Sequence, residues 1–370
     1  EGFADLVALL QSFEMTDLLE HQILRSRGDL AAETLLGQLA IQVGNAAQGR
    51  SALRSAIGTM EGGQWKRSVP DPGQLARTLA PHARGAVLVA AVVDTLIAIY
   101  EARTADLLRI ATGGTGRLPD GAIHPDLARR MANEAAKTAR HVLGMCIRAL
   151  DYLPPVDVTF HDFLRALITA DFELVPDDRF SYRVAFVESF ARRAIFPGDH
   201  DGGGPQGPRA LSADTLRWPG FTRDDLKAAA RGQVIKRYGL MVEKLRAYDE
   251  ACQYLTDREE LFTVTRQHRR ELHDLLEEAF EQVPAFADSL GLDQKQPFEV
   301  HALRRAARVR GDGRVVPEVI VALTQAATIE VDQRDEVPDV RFRGGSTLVV
   351  DLMAPTLPKY RIVKRMDDKR

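Results

Sequence analysis

Pro81-His82-Ala83-Arg84-Gly85 runs straight into Ala86-Val87-Leu88-Val89-Ala90-Ala91-Val92-Val93-Asp94-Thr95-Leu96-Ile97-Ala98-Ile99-Tyr100, the longest apolar run of the chain. A helix that is apolar on every side has no face to offer water and belongs in an interior. Asp94 interrupts the run, which is also shorter than the roughly 20 residues that cross a bilayer. The expectation is a long buried helix, or helix pair, over 83–108 and no membrane insertion.

Helical spacing continues on both sides of it. Phe3, Leu6, Val7, Leu10 and Phe13 recur at the period of one helix face, and 17–24 repeats the pattern. Shorter amphipathic stretches are expected at 34–43 and 51–57. Glycine and proline mark a loop over 61–73 and another over 112–121. Beyond these, 126–150, 159–172 and 178–194 read as helices. Thr159 followed by Asp162 has the spacing of a capping box, with aspartate in the usual place of glutamate.

At Pro197 the periodicity stops. Pro205, Pro208 and several glycines follow, so 197–211 reads as a linker. Charge-rich sequence over 224–282 reads as a helical hairpin whose charged residues, His268 and His273 included, form solvated faces. From Pro297 the period drops to two. Strands are expected over 298–309, 315–331, 346–352 and 360–364, the first two joined through Gly311-Asp312-Gly313. The fold class expected is therefore mainly α with a helical extension and a small C-terminal antiparallel β unit. The domains are expected at 1–196, 212–290 and 291–370.

Composition narrows the chemistry. The 370 residues carry 49 Lys and Arg against 52 Asp and Glu, a net charge of -3 that gives no pull toward nucleic acid or an anionic membrane. The basic residues Arg304, Arg305, Arg308 and Arg310 make too small a patch to change that. Cys146 and Cys252 are the 2 cysteines and read as buried thiols rather than a disulfide framework. Gly113-Gly114-Thr115-Gly116 lacks the lysine and preceding strand of a phosphate loop. Glu1 stands where a methionine would start a chain, so the natural N-terminus is expected upstream and compartment is not readable.

Glu1 and Asp5 lie one turn apart on one helix face. Such a start is commonly just solvated. It also suits a zinc site, in which a glutamate ligates the metal and an aspartate fixes the orientation of a ligand histidine. Glu1-Gly2-Phe3-Ala4-Asp5 resembles the glutamate-x-x-x-aspartate motif of the thermolysin-like zinc metallopeptidases. Pro81-His82-Ala83-Arg84-Gly85 resembles that family's histidine before a buried helix, with Ala-Arg-Gly where the family has Asn-Ser-Gly. Arg148 to Leu153, Thr159-Phe160, Ala166, Ala170-Asp171 and Val184 to Phe186 follow the order of its last helices. The resemblance covers about 1–195. It implies a thermolysin-like helical subdomain in which Glu1 is a zinc ligand, Asp5 stands behind the metal site and His82 stabilises the oxyanion. Asp71 or Arg84 would orient His82 or add a donor.

The same resemblance implies a peptide or protein substrate. It also implies a His-Glu-x-x-His helix carrying the other two ligands and the general base, a motif the chain does not contain. The fragment itself is then expected to be inactive. Three alternatives stay open. His82 is equally read as a helix-capping histidine, the first half as a non-catalytic scaffold that kept the fold, and 203–370 as a regulatory binding module.

Overall fold

A computed structural model describes residues 1–32, 58–61, 64–197, 216–309, 313–329, 340–354 and 357–366. The elements in chain order are α1 (Gly2–Ser12), α2 (Thr16–Ser26), β1 (Gly58–Glu61), β2 (Gln64–Arg67), α3 (Gln74–Arg77), α4 (Pro81–Ala111), α5 (Pro125–Ala149), α6 (Phe160–Leu174) and α7 (Tyr182–Ala191). There follow α8 (Arg231–Cys252), α9 (Arg258–Gln282), α10 (Pro284–Ser289), β3 (Phe298–Val309), β4 (Val315–Ile329), β5 (Val340–Asp351) and β6 (Tyr360–Lys364). The chain is mainly helical with a small four-stranded antiparallel sheet in the order β3-β4-β5-β6. The helices expected at 34–43 and 51–57, and the linker at 197–211 except for Pro197, lie outside the described residues. Within the expected loop 61–73 the chain instead forms β2, paired with β1 from Gly58↔Arg67 to Glu61↔Gln64.

Two compact units emerge: 1–148 with 177–197, and 149–176 with 198–370. In the first, α4 is the central helix. Its residues from Gly85 to Ile97 are buried without a break, as an all-apolar sequence demands. Once extended to 31 residues it is long and apolar enough to cross a membrane, but 83% of its most apolar window is buried inside the protein. α1 and α7 pack against it.

Asp94, the one acidic residue within the apolar run, is buried and needs a cation. It lies 2.7 Å from Arg193 and 2.5 Å from Arg67. Arg193, just after α7, is only 1% exposed and also donates to the Ser189 carbonyl. One carboxylate thus ties two guanidinium groups from distant segments to the middle of α4. Cys146 and Cys252 are buried free thiols, and burial pushes the Cys146 thiol up to about 12.

In the second unit, alternation along the strands, shifted by one residue at the irregularity between Val300 and Ala302, sends Val300, Leu303, Val319, Val321, Leu323, Leu348 and Val350 into one core with α8, α9 and α10. β3 is an edge strand, and two of its carbonyls are capped by side chains. Val300 accepts from Arg269 at 2.7 Å and Leu303 from the Tyr248 hydroxyl at 3.2 Å. His268 and His273, expected on a solvated face, are instead in aromatic contact. His268 meets Tyr248 edge-on, and His273 stacks on Phe298 with ring centres 4.6 Å apart.

The segment 149–176 groups with this sheet, whereas the sequence places it with the first helices. Charged and aromatic contacts join it there. Asp151 pairs with Arg304 and Arg308, the Tyr152 ring meets the Tyr360 ring edge-on, and Glu173 pairs with Lys359 and the Tyr360 hydroxyl. Thr159 and Asp162 form the expected capping box: the Asp162 amide donates to Thr159 Oγ1 at 3.2 Å, and the Thr159 amide to Asp162 Oδ2 at 2.8 Å. Thr159→Ala should therefore cost about 0.5–2 kcal/mol in urea unfolding. A cost near zero would show that the cap contributes nothing to α6.

Candidate functional site

Glu1 is the N-cap residue of α1, and His82 follows Pro81 at the start of α4. Proline at the first helical position sets the backbone angle and loses no intrahelical hydrogen bond there. His82 Nδ1 lies 2.9 Å from Glu1 Oε2, with both side chains a little under half exposed. Two helix N-termini, those of α1 and α4, thus meet at one carboxylate. The partial positive charge of helix N-termini favours an anion there. The two residues singled out as ligand and oxyanion donor are brought into direct contact across 81 positions of sequence.

The remaining candidates lie differently. Asp5 sits one turn along α1, its amide donating to the Glu1 carbonyl at 3.0 Å, and is partly exposed. Asp71 pairs with Arg77 and accepts from the Gly73 amide at 2.8 Å, so its carboxylate is engaged in its own loop while Glu1 faces His82. Arg84 donates to the carbonyls of Thr78 and Leu75, at 3.0 Å and 3.3 Å. It therefore pins the segment that precedes α4.

Among the described residues no group of three His, Cys, Asp or Glu side chains is placed to hold a metal ion. Zinc sites take at least three protein ligands. Glu1 with His82 does not make such a set, so the residues present do not by themselves fit a zinc ion. Asp94 inside an apolar run signals a buried cation, but nothing local to Arg67 or Arg193 marks them as its partners. Comparison with protein-family models, with curated proteins and with solved structures finds no match to this chain.

Proposed function

We propose that the first unit supplies one side of a peptide-hydrolysing zinc centre of the thermolysin-like type, within a thermolysin-like helical subdomain. The reading is carried by one observation, the 2.9 Å approach of His82 to Glu1. A metal-ligating carboxylate and a donor for the developing oxyanion must stand within reach of one scissile bond. Two residues chosen for those roles from separate motifs meet in that way. On this reading Glu1 contributes one ligand oxygen and His82 holds a ring N–H toward the substrate carbonyl. Asp5 lies behind the site on the same helix. The substrate is a peptide or protein.

The reading requires two further ligands and a general base from residues outside this chain. The resemblance places them on a helix preceding Glu1. The test is to compare the chain as given with one extended upstream, measuring zinc content and casein cleavage. The chain as given is expected to retain no stoichiometric zinc and to cleave nothing. The extended protein is expected to hold one zinc per chain and to cleave casein, losing both with Glu1→Gln. An extended protein that stays metal-free and inactive would sink the reading in favour of a scaffold. One equivalent of zinc on the chain as given would refute the assignment of Glu1.

A further inference from the structure

The Glu1–His82 contact depends on how closely two helices approach, and that approach is made by two glycines. Gly2 opens α1 and Gly85 lies in the first turns of α4, both buried. A Cβ built on Gly85 would lie 2.8 Å from the Gly2 nitrogen and 3.0 Å from the Gly2 Cα. A Cβ built on Gly2 would lie 2.7 Å from both the Cα and the carbonyl oxygen of Gly85. The atoms met are backbone on both sides, so no rotamer change relieves either contact. Neither glycine has a positive φ, so backbone conformation is not what requires glycine at these positions.

We infer that the Gly2–Gly85 backbone contact is the positioning device of the site: it sets the distance at which Glu1 meets His82. The inference rests on the reading of these two residues as functional. The structural part, that the glycine contact controls the pairing, stands without it. Glu1 is joined directly to Gly2, and His82 lies one turn before Gly85 on α4, on the same stretch of its surface. Any side chain at either glycine parts the helices at the point where the carboxylate and the imidazole meet. Ordinary contact begins at 3.4 Å, so a methyl group on Gly85 moves α1 by more than half an ångström. An N···O approach of 2.9 Å does not survive such a shift. Farther along α4, Asp94 is held by Arg193 and Arg67, away from this crossing.

The test uses the full chain with 15N-labelled histidine and reads the ring nitrogens of His82, assigned through His82→Ala. The close approach of Nδ1 to the Glu1 carboxylate gives the wild type a ring-nitrogen signature that Glu1→Ala, which leaves no acceptor, should abolish. Gly85→Ala and Gly2→Ala are expected to reproduce the Glu1→Ala signature while helix content by circular dichroism stays that of the wild type. Gly144→Ala, with nothing within 4 Å of its added methyl, is the control and should leave His82 unchanged. Retention of the wild-type His82 signature in both alanine variants would overturn the inference. So would a change in His82 that Gly144→Ala matches. If the variants lose their fold, the upstream-extended protein carrying Gly85→Ser and Gly85→Ala is read in the same way, the larger side chain being expected to perturb His82 more. Failure of the extended protein to bind zinc or cleave casein would strike the functional reading alone and leave this result standing.

Discussion

Arg308→Met is expected to destabilise the second unit by about 3–5 kcal/mol, the cost of removing one partner from a buried ion pair. The Arg308 side chain is 8% exposed and its partner Glu318 1% exposed. Arg308 also lies 3.1 Å from Asp151 and stacks over the Tyr152 ring with its guanidinium carbon 4.8 Å from the ring centre. Methionine replaces the aliphatic stem but not the guanidinium over that ring, so the loss combines the charge and the cation–π contact. Asp151 retains Arg304, but Glu318 is left in the interior with Lys359 as its next cation.

Burial already raises the Glu318 carboxyl above its ordinary value, and the pull of Arg308 opposes that. Without Arg308 the folded-state value rises further, while the unfolded chain keeps one near 4.5. The folded state then binds a proton that the unfolded state has released, so stability falls as pH rises through that window. The deficit of the variant should thus be small near pH 4 and full once pH exceeds the raised folded value. Urea unfolding at several pH values measures it. A pH-independent deficit, or one well under 1 kcal/mol, would show that leaving Glu318 unpaired is not what destabilises the variant. Arg308→Met combined with Glu318→Leu should recover most of the loss, because no unpaired charge remains.

These contacts mark where the sequence stops being legible. The period-two runs of β3, β4 and β6 and the helical runs around α4, α8 and α9 depend on neighbours a few residues away, and local pattern records them. The capping box at Thr159 is equally local. The partition of 149–176 depends on Asp151, Tyr152 and Glu173 meeting residues more than 150 positions later, and nothing in their immediate neighbours encodes that. The same holds for Arg193 under Asp94. It holds also for His273, whose charged neighbours on α9 suggested solvent while Phe298 lay against its ring. β5 begins at Val340, ahead of the expected 346, because its early residues pair with the far end of β4. At the site, it is the resemblance to the thermolysin-like pattern, not spacing alone, that singles out Glu1 and His82. Their separation, and the engagement of Asp71 with Arg77 instead of His82, could be found only in three dimensions.

On the proposed reading, His82→Ala in the upstream-extended protein should lower kcat by about 10²–10³, the loss expected for one oxyanion donor. With Nδ1 against Glu1, the other ring nitrogen remains to face a substrate oxygen, and both nitrogens donate together only as the imidazolium. An interaction made mainly with the transition state lowers kcat and kcat/KM together and leaves KM nearly unchanged. The fold should tolerate the change. His82 is nearly half exposed on the first turn of a 31-residue helix, and alanine is the best helix former. Zinc content should also stay at one per chain, because the imidazole is assigned to the substrate and not to the metal. Steady-state kinetics on a peptide, with metal analysis of the same preparation, separates the possibilities. Normal turnover would return His82 to the role of a histidine at a helix start, with Glu1 merely its surface partner. Loss of metal together with activity would make His82 a ligand instead, and Glu1 with His82 would then be two donors of one centre.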